Sequence, residues 1–331
     1  MKYAVRDEII PQDRRQDLND KILYLIDSGE ADKFGIVPED VYNGYTGDGG
    51  LHGLKRSDYD SYFAYSDAKK EIENGQFFTA PALCRFTAEC LAPSKGDLIA
   101  DLTCGMGNFF NFLPSESSLY GCEIDNKAYK VARYLYPKAN IVNQDIRLYR
   151  PGILFDYVVG NPPFNLKWWL EDGQEMASQL YYCVKAHELL KPYGIMALIT
   201  PASFLSDSFS DSGAIREMES RFSFLGQILL PEDAFQAMGV SRFPTKLQFW
   251  QRKSAFSAGT SGRYTTECLD MPLPLTQPAK EAEPVYRRYI QAAKTELEQN
   301  RSRVLLELAR TRATSGTFLY KIRKMLYQIK C

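Results

Sequence analysis

The sequence predicts an α/β protein built on a mostly parallel sheet. Three observations carry this. From Leu98 onward, short apolar runs of strand length alternate with stretches of helical length. Glycine- and acid-bearing turns fall at the ends of those runs, where open parallel sheets place their ligands. The last two apolar runs have no long helix between them and read as an antiparallel hairpin at one edge.

Taken in order, residues 1–35 read as helical, with ILYLID as an apolar patch. Residues 42–62, YNGYTGDGGLHGLKRSDYDSY, read as a long loop or a lid. Helical character returns over 66–73. Strands are expected at 98–102, 118–125, 139–145, 155–160, 194–201, 222–231 and 244–253, seven in all. NKAYKVARYLY, after Asp125, is the helix between the second and third of these, and Asp125 stands where an N-cap is wanted. A second helix is expected over 175–190, with Leu180, Val184, Leu189 and Leu190 near one face. Residues 254–283 are rich in Ser, Gly, Thr and Pro and read as irregular; helices are expected at 284–311 and 317–330.

Composition bounds the function. The 331 residues are 45% hydrophobic, enough for a sizeable core, and the net charge of -1 does not by itself call for nucleic acid. The charge is uneven: from Arg301 to Cys331 there are eight Lys or Arg against one Glu, either a surface for a polyanion or a solvated helix face. Seven scattered cysteines without CxxC pairs, and only two histidines, argue against a metal site. The odd cysteine count and the lack of a signal peptide point to a reducing cytoplasm, and no window is apolar enough to span a bilayer. His187 falls inside a helix, where a structural role is expected, and His52 lies in the glycine-rich segment.

Four strand ends carry polar turns: DLTCGMGNF (101–109), GCEID (121–125), NQD (143–145) and GNPPF (160–164). The CGMG loop lacks the GxGxxG spacing of a dinucleotide site, which disfavours a nicotinamide oxidoreductase. Asp101 opens it, and a carboxylate there suits an ammonium or sulfonium rather than pyrophosphate. Glu123 is placed to accept from ribose hydroxyls, and Asp145 from an adenine amino group. Together these describe a nucleoside bearing an amino acid and no phosphate, which S-adenosylmethionine fits. Glycine turns followed by an acid are also structural in many proteins. In NPPF, two prolines end a strand abruptly and leave a stiff loop carrying one amide and one ring, either a rigid turn or a pocket for something flat and polar.

With these motifs in this order the chain resembles the DNA methyltransferases that act on the amino group of adenine. GQFFTAP (75–81) is similar to the upstream motif of that family, and the four turns are similar to its cofactor and NPP[FYW] motifs; ELLKPYGIMALITPASFL (188–205) resembles the helix and strand that follow. The resemblance runs from about 70 to 253. It departs from the pattern at Ala80, where the family often has proline, and in the roughly 80 residues after Lys253, where the family usually carries a target-recognition domain. The uncapped end at LYQIKC fits a piece of a longer protein.

The resemblance implies a Rossmann-like S-adenosylmethionine-dependent methyltransferase fold. It implies a catalytic domain at 71–253, a helical and loop extension at 1–70, and a linker with basic helices at 254–331. It implies a catalytic loop of Asn161, Pro162, Pro163 and Phe164, with two acceptors freeing the lone pair of adenine N6 and Phe164 stacking on a flipped-out base. Cofactor contacts are expected from Phe78, Thr79, Asp101, Thr103, Gly105, Gly107, Glu123, Ile124, Asp145 and Asn161, although Phe78 and Ile124 also read as buried core residues. For DNA the candidates are Arg242 and Lys246 on phosphates and Phe243 and Trp168 on bases; Phe243, Trp168 and Trp169 also read as core aromatics. Partners expected are DNA and a separate specificity, helicase or nuclease subunit or fused domain, within restriction-modification or a related role. The same clamp serves RNA guanine amines and protein glutamine amides, and a non-catalytic assembly subunit with this fold is the remaining alternative.

Overall fold

The computed structural model describes residues 1–6, 10–47, 59–65, 77–164, 166–170, 173–205, 212–230, 234–235, 244–254 and 291–299. Seven strands form one sheet: β1 (Ile99–Asp101), β2 (Leu119–Glu123), β3 (Asn140–Asn143), β4 (Phe155–Gly160), β7 (Leu190–Pro201), β8 (Phe222–Leu229) and β9 (Thr245–Arg252). Their order is β3-β2-β1-β4-β7-β9-β8. Neighbours are parallel from β3 through β7, and β9 runs antiparallel to both β7 and β8. The expected seven strands and late hairpin are therefore present, and the strand order reverses between β1 and β4, the point at which open α/β sheets bind ligands.

Period-two alternation divides the strands between two cores. Ile195, Ala197 and Ile199 of β7 face one cluster, Met196 and Leu198 the other. The first core is covered by α1 (Gln12–Ser28), α2 (Pro38–Gly44), α3 (Pro81–Leu91) and α4 (Asn126–Leu135). The second is covered by α5 (Ser178–Leu189) and α6 (Ser212–Arg221). α4 begins where expected, because the Asp125 carboxylate accepts from the Lys127 and Ala128 amides. α3 begins at Pro81, whose missing N–H costs nothing in the first turn, with Ala80 as the preceding cap residue.

Several boundaries differ from the sequence reading. Residues 1–6 are not helical; they are strapped to the short 3-10 helix Asn108–Phe112 by Asn111, whose Oδ1 accepts from the Lys2 and Tyr3 amides at 2.9 and 2.6 Å. Tyr3, Ile22, Leu23, Val41, Tyr42 and Tyr45 share the first core with the sheet. α5 starts at Ser178, because residues 175–177 form β6 (Glu175–Ala177), paired antiparallel with β5 (Lys167–Trp169) in a small hairpin that periodicity did not reveal. Residues 291–299 are helical and bury Ala293 and Leu297; the remainder of the two expected C-terminal helices, the 254–283 linker apart from Ser254, most of the 42–62 loop and His52 lie outside the described residues. Cys84, Cys90, Cys104, Cys122 and Cys183 are free and buried. Among the described residues no helix is long and apolar enough to cross a membrane, and no group of three or more His, Cys, Asp or Glu is placed to hold a metal.

Gly107 shows how tightly the turn after β1 is packed. Its φ is +85°, and a Cβ there would lie 2.7 Å from the Tyr136 ring. Gly152 has φ +74° and nothing within 4 Å of the same position. Both substitutions to alanine carry backbone strain of about 1–2 kcal/mol. Gly107→Ala adds overpacking, so it should destabilise the chain by about 1–3 kcal/mol more than Gly152→Ala. Urea unfolding of the two variants measures the difference, and equal midpoints would show that Tyr136 yields without cost.

Candidate active site

A cavity of about 540 Å³ opens at the carboxyl ends of β1, β2, β3 and β4. It draws Phe77 and Phe78 from the upstream motif, Thr103 and Gly105 from the glycine loop, Glu123 and Ile124 from the end of β2, and Asp145 and Arg147 beyond β3. Asn161 and Pro163 follow β4, and Trp168 comes from β5. Four strand ends that are distant in sequence thus share one crevice.

Glu123 shapes the floor. One carboxylate oxygen accepts from the Gly105 amide at 2.7 Å and the other from the Asp125 amide at 2.8 Å. Burial raises its pKa, and the two amides work against that shift. Gly105 has φ +54°, and a Cβ would come within 2.9 Å of the Phe78 ring, so only glycine lets the ring close over the loop. Asp101 lies behind the loop, 2% exposed, accepting from the Thr103 amide at 3.1 Å. Burial pushes its pKa up to about 8, and the nearby Glu123 charge adds to the shift.

The roof is tied down by two asparagines. Asn108 donates through Nδ2 to the Thr79 carbonyl at 2.8 Å, and Asn161 through Nδ2 to the Phe77 carbonyl at 3.2 Å. That second bond fixes the Asn161 amide. Its Oδ1 is buried and has no hydrogen-bond partner among the described residues, and the same holds for Thr103 Oγ1. A buried acceptor left unmatched costs free energy, about 1–3 kcal/mol. Both atoms belong to residues that line the cavity, a combination that fits a polar ligand there.

The expected residues do not all reach the cavity wall. Phe78, Thr103, Gly105, Glu123, Ile124, Asp145, Asn161, Pro163 and Trp168 do. Ile124 is 68% exposed, so it is a surface at the mouth and not a core residue. Trp168 stands edge-on to Tyr181 at 5.4 Å, and Trp169 beside it is 63% exposed. Thr79 and Asp101 are buried behind the wall, and Gly107 turns its crowded side to Tyr136 rather than to the cavity. Pro162 is buried, and Phe164 is half-buried against the first core. Asp145 is already engaged, because the Arg147 guanidinium meets its carboxylate at 2.5 Å and holds its pKa below the usual range. Lys246 requires a correction. It is 1% exposed, because β9 folds back into the sheet between β7 and β8 instead of forming its edge, so it faces no external phosphate. Arg242 and Phe243 lie outside the described residues. His187 packs edge-on to Phe222 at 5.6 Å, and burial lowers its pKa to about 4. Sequence reasoning missed Asn108 and Arg147; an amide just past the glycines and a cation two residues after Asp145 were the available signals.

The doubly wound sheet with its antiparallel β9 and its crevice at the strand-order reversal defines a Rossmann-like fold of the class I methyltransferase type. A class I S-adenosylmethionine-dependent methyltransferase from Listeria monocytogenes superposes with a TM-score of 0.52 at 13% identity, over 83% of this chain and 99% of that one. Residues 59–252 match the N-6 DNA Methylase family, and the chain belongs to it. It is 30% identical over 159 residues to the modification methylase CviBIII of Paramecium bursaria Chlorella virus NC1A, covering 43% of this chain and 41% of that protein. It is 26% identical over 239 residues to the defense against restriction protein B of Escherichia phage P1, covering 69% of this chain and 10% of that protein. The chain spans less than half the length of these curated relatives.

The raised Asp101 pKa has a consequence for stability. An unfolded chain releases that proton near the ordinary value of 3.8, whereas the folded chain keeps it to about 8. Stability therefore falls as pH rises through this window, since the unfolded state there binds fewer protons. Asp101→Asn should flatten the decline of melting temperature between pH 5 and pH 8 and raise it at the upper end. A thermal-melt series that keeps the wild-type slope in this variant would place the titration elsewhere.

Proposed function

We propose that this chain transfers a methyl group from S-adenosylmethionine to the exocyclic N6 of adenine in DNA. The single observation that supports this best is the Asn161 amide, held through Nδ2 by the Phe77 carbonyl, with Oδ1 turned into a buried position without a partner. Family membership supports the same reading.

The residues present fit the cofactor. Its volume class matches a cavity of about 540 Å³, within the usual range for small-molecule sites. Glu123 would take the ribose hydroxyls, Ile124 the adenine ring, Thr103 and Gly105 the amino-acid part, and Phe77 and Phe78 would cover it. Asp101, ionised by a nearby cation, would hold the site's negative charge from behind. Bound there, S-adenosylmethionine supplies a methyl group on a positively charged sulfur.

The chain's own part is to prepare the nitrogen. An exocyclic amine shares its lone pair with the purine ring and attacks poorly. Asn161 Oδ1 accepts one N6 hydrogen, and the Pro162 carbonyl, whose direction the ring of proline stiffens, accepts the other. These preset acceptors meet the positive charge that grows on nitrogen during attack, without reorganising. A base inside a duplex cannot reach such a clamp, so it is flipped out. Phe164 and Trp168 would stack on it, each such contact being worth about 1–3 kcal/mol.

Within this reading the enzyme works in the cytoplasm on host or phage DNA and marks it against restriction, a role supported by the name of the phage P1 relative, while that of the Chlorella virus relative supports modification. Target choice comes from a further domain or a specificity, helicase or nuclease subunit, supported by the greater length of those relatives. The catalytic unit is the segment 71–253, with 1–70 and 254–331 as its extensions.

Asn161→Ala should lower the turnover number by about 100- to 1,000-fold, as removal of one preset polar group from a reaction centre does elsewhere. Binding of S-adenosylhomocysteine should stay within a few-fold of wild type. Labelled cofactor offered with separate DNA, RNA and protein pools reads both the activity and its substrate. Label entering only RNA or protein defeats the DNA assignment, and undiminished turnover in the variant removes Asn161 from its role.

A further inference from the structure

The strands β1 and β4 carry the two loops that must act together, and one buried hydroxyl touches both strand ends. The β1–β4 ladder runs Ile99↔Tyr157, Ala100↔Val158, Asp101↔Val159. In this register the Leu102 N–H and the Val159 carbonyl are the next groups to face each other. The Tyr182 hydroxyl of α5 is bonded to both, accepting from Leu102 N at 3.1 Å and donating to Val159 O at 2.5 Å. Leu102 leads into the glycine loop, and Val159 is two residues before Asn161.

The neighbouring contacts sharpen this. Gly160 presses on the hydroxyl so closely that a Cβ would stand 2.1 Å from it. Ser178, one helical turn before Tyr182 and on the same face of α5, donates to the Pro163 carbonyl at 2.6 Å. One helix face thus grips the acceptor loop at both ends, and Tyr182 alone of the two extends the grip to β1. The Tyr182 ring lies fully buried in the second core, where phenylalanine would fill nearly the same space. A buried hydroxyl costs free energy unless it is bonded, and this one is bonded twice. Burial raises its pKa well above the ordinary value, so it stays protonated and able to donate.

We propose that Tyr182 is a positioning residue that sets the glycine loop against the Asn161 loop, so that donor and acceptor meet in register. The proposal rests on the function given above. It differs from a role in binding either partner, because each loop keeps its own contacts when the hydroxyl is lost.

The test is steady-state methylation of duplex DNA by wild type and Tyr182→Phe, with calorimetric titration of S-adenosylhomocysteine. The expected result is a fall in turnover number of about 10- to 100-fold, the effect of displacing reacting groups by up to an ångström. Cofactor-product affinity and KM for DNA should stay within about two-fold, by the same argument that only the register is lost. A turnover within two-fold of wild type, or a loss of affinity equal to the loss of turnover, overturns the role. Hydrogen exchange decides it independently of activity. In wild type, S-adenosylhomocysteine should slow exchange at 103–107 and also at the amides of Gly160, Asn161 and Phe164; Tyr182→Phe should keep the first and lose the second. Protection of the second segment that survives in the variant, or never forms in wild type, overturns the role. An inactive wild type with this exchange pattern intact would instead defeat the functional reading alone. Should Tyr182→Phe not fold, the wild-type exchange pattern still decides, because protection at Gly160, Asn161 and Phe164 that never forms on binding overturns the role.

Discussion

Everything at the site depends on two adjacent strands parting at a defined rung. β1 and β4 stay paired to Asp101 and Val159, and their chains then leave in different directions. The gap so opened receives the glycine loop from one side and the proline-stiffened loop from the other. A continuous ladder would have filled it with backbone hydrogen bonds. Backbone groups around the gap are satisfied by side chains: Glu123 takes two amides, Asp101 one, and α5 supplies two hydroxyls. The crevice is therefore a prepared surface rather than a defect in packing.

Charge at the floor is kept in tension. Two carboxyl groups, Asp101 and Glu123, are buried at the floor: burial raises the cost of ionising each, and the Glu123 charge adds to that cost at Asp101. Such an arrangement disfavours the empty state and favours a cation. It is a form of stability given up at a working site, as binding sites commonly show. Asp145 is handled differently: Arg147 neutralises it outside the floor, so the third acid at the crevice costs the fold little.

The strands were legible because each carries a short apolar run and a turn signal, and the order of the motifs placed the crevice correctly. What was not legible followed from topology or from three-dimensional neighbours. Local pattern identified two late strands but could not say that the later one, β9, takes the interior place, so Lys246 looked exposed and is buried. Glu175–Ala177 has residues that favour helix, yet pairing with Lys167–Trp169 holds it extended. Both glycines of CGMG read as ligand-facing; only the packing shows that Gly105 meets Phe78 and Gly107 meets Tyr136. Tyr182 drew no notice in the sequence, which shows the ring and not the two partners of its hydroxyl.

The roof over the crevice has a mechanical side. Residues 77–79 are pinned by Asn108 at one carbonyl and by Asn161 at another. The bond to Phe77 is made by the same amide that carries Asn161 Oδ1, so a shift of the covering segment and a turn of that amide are mechanically coupled.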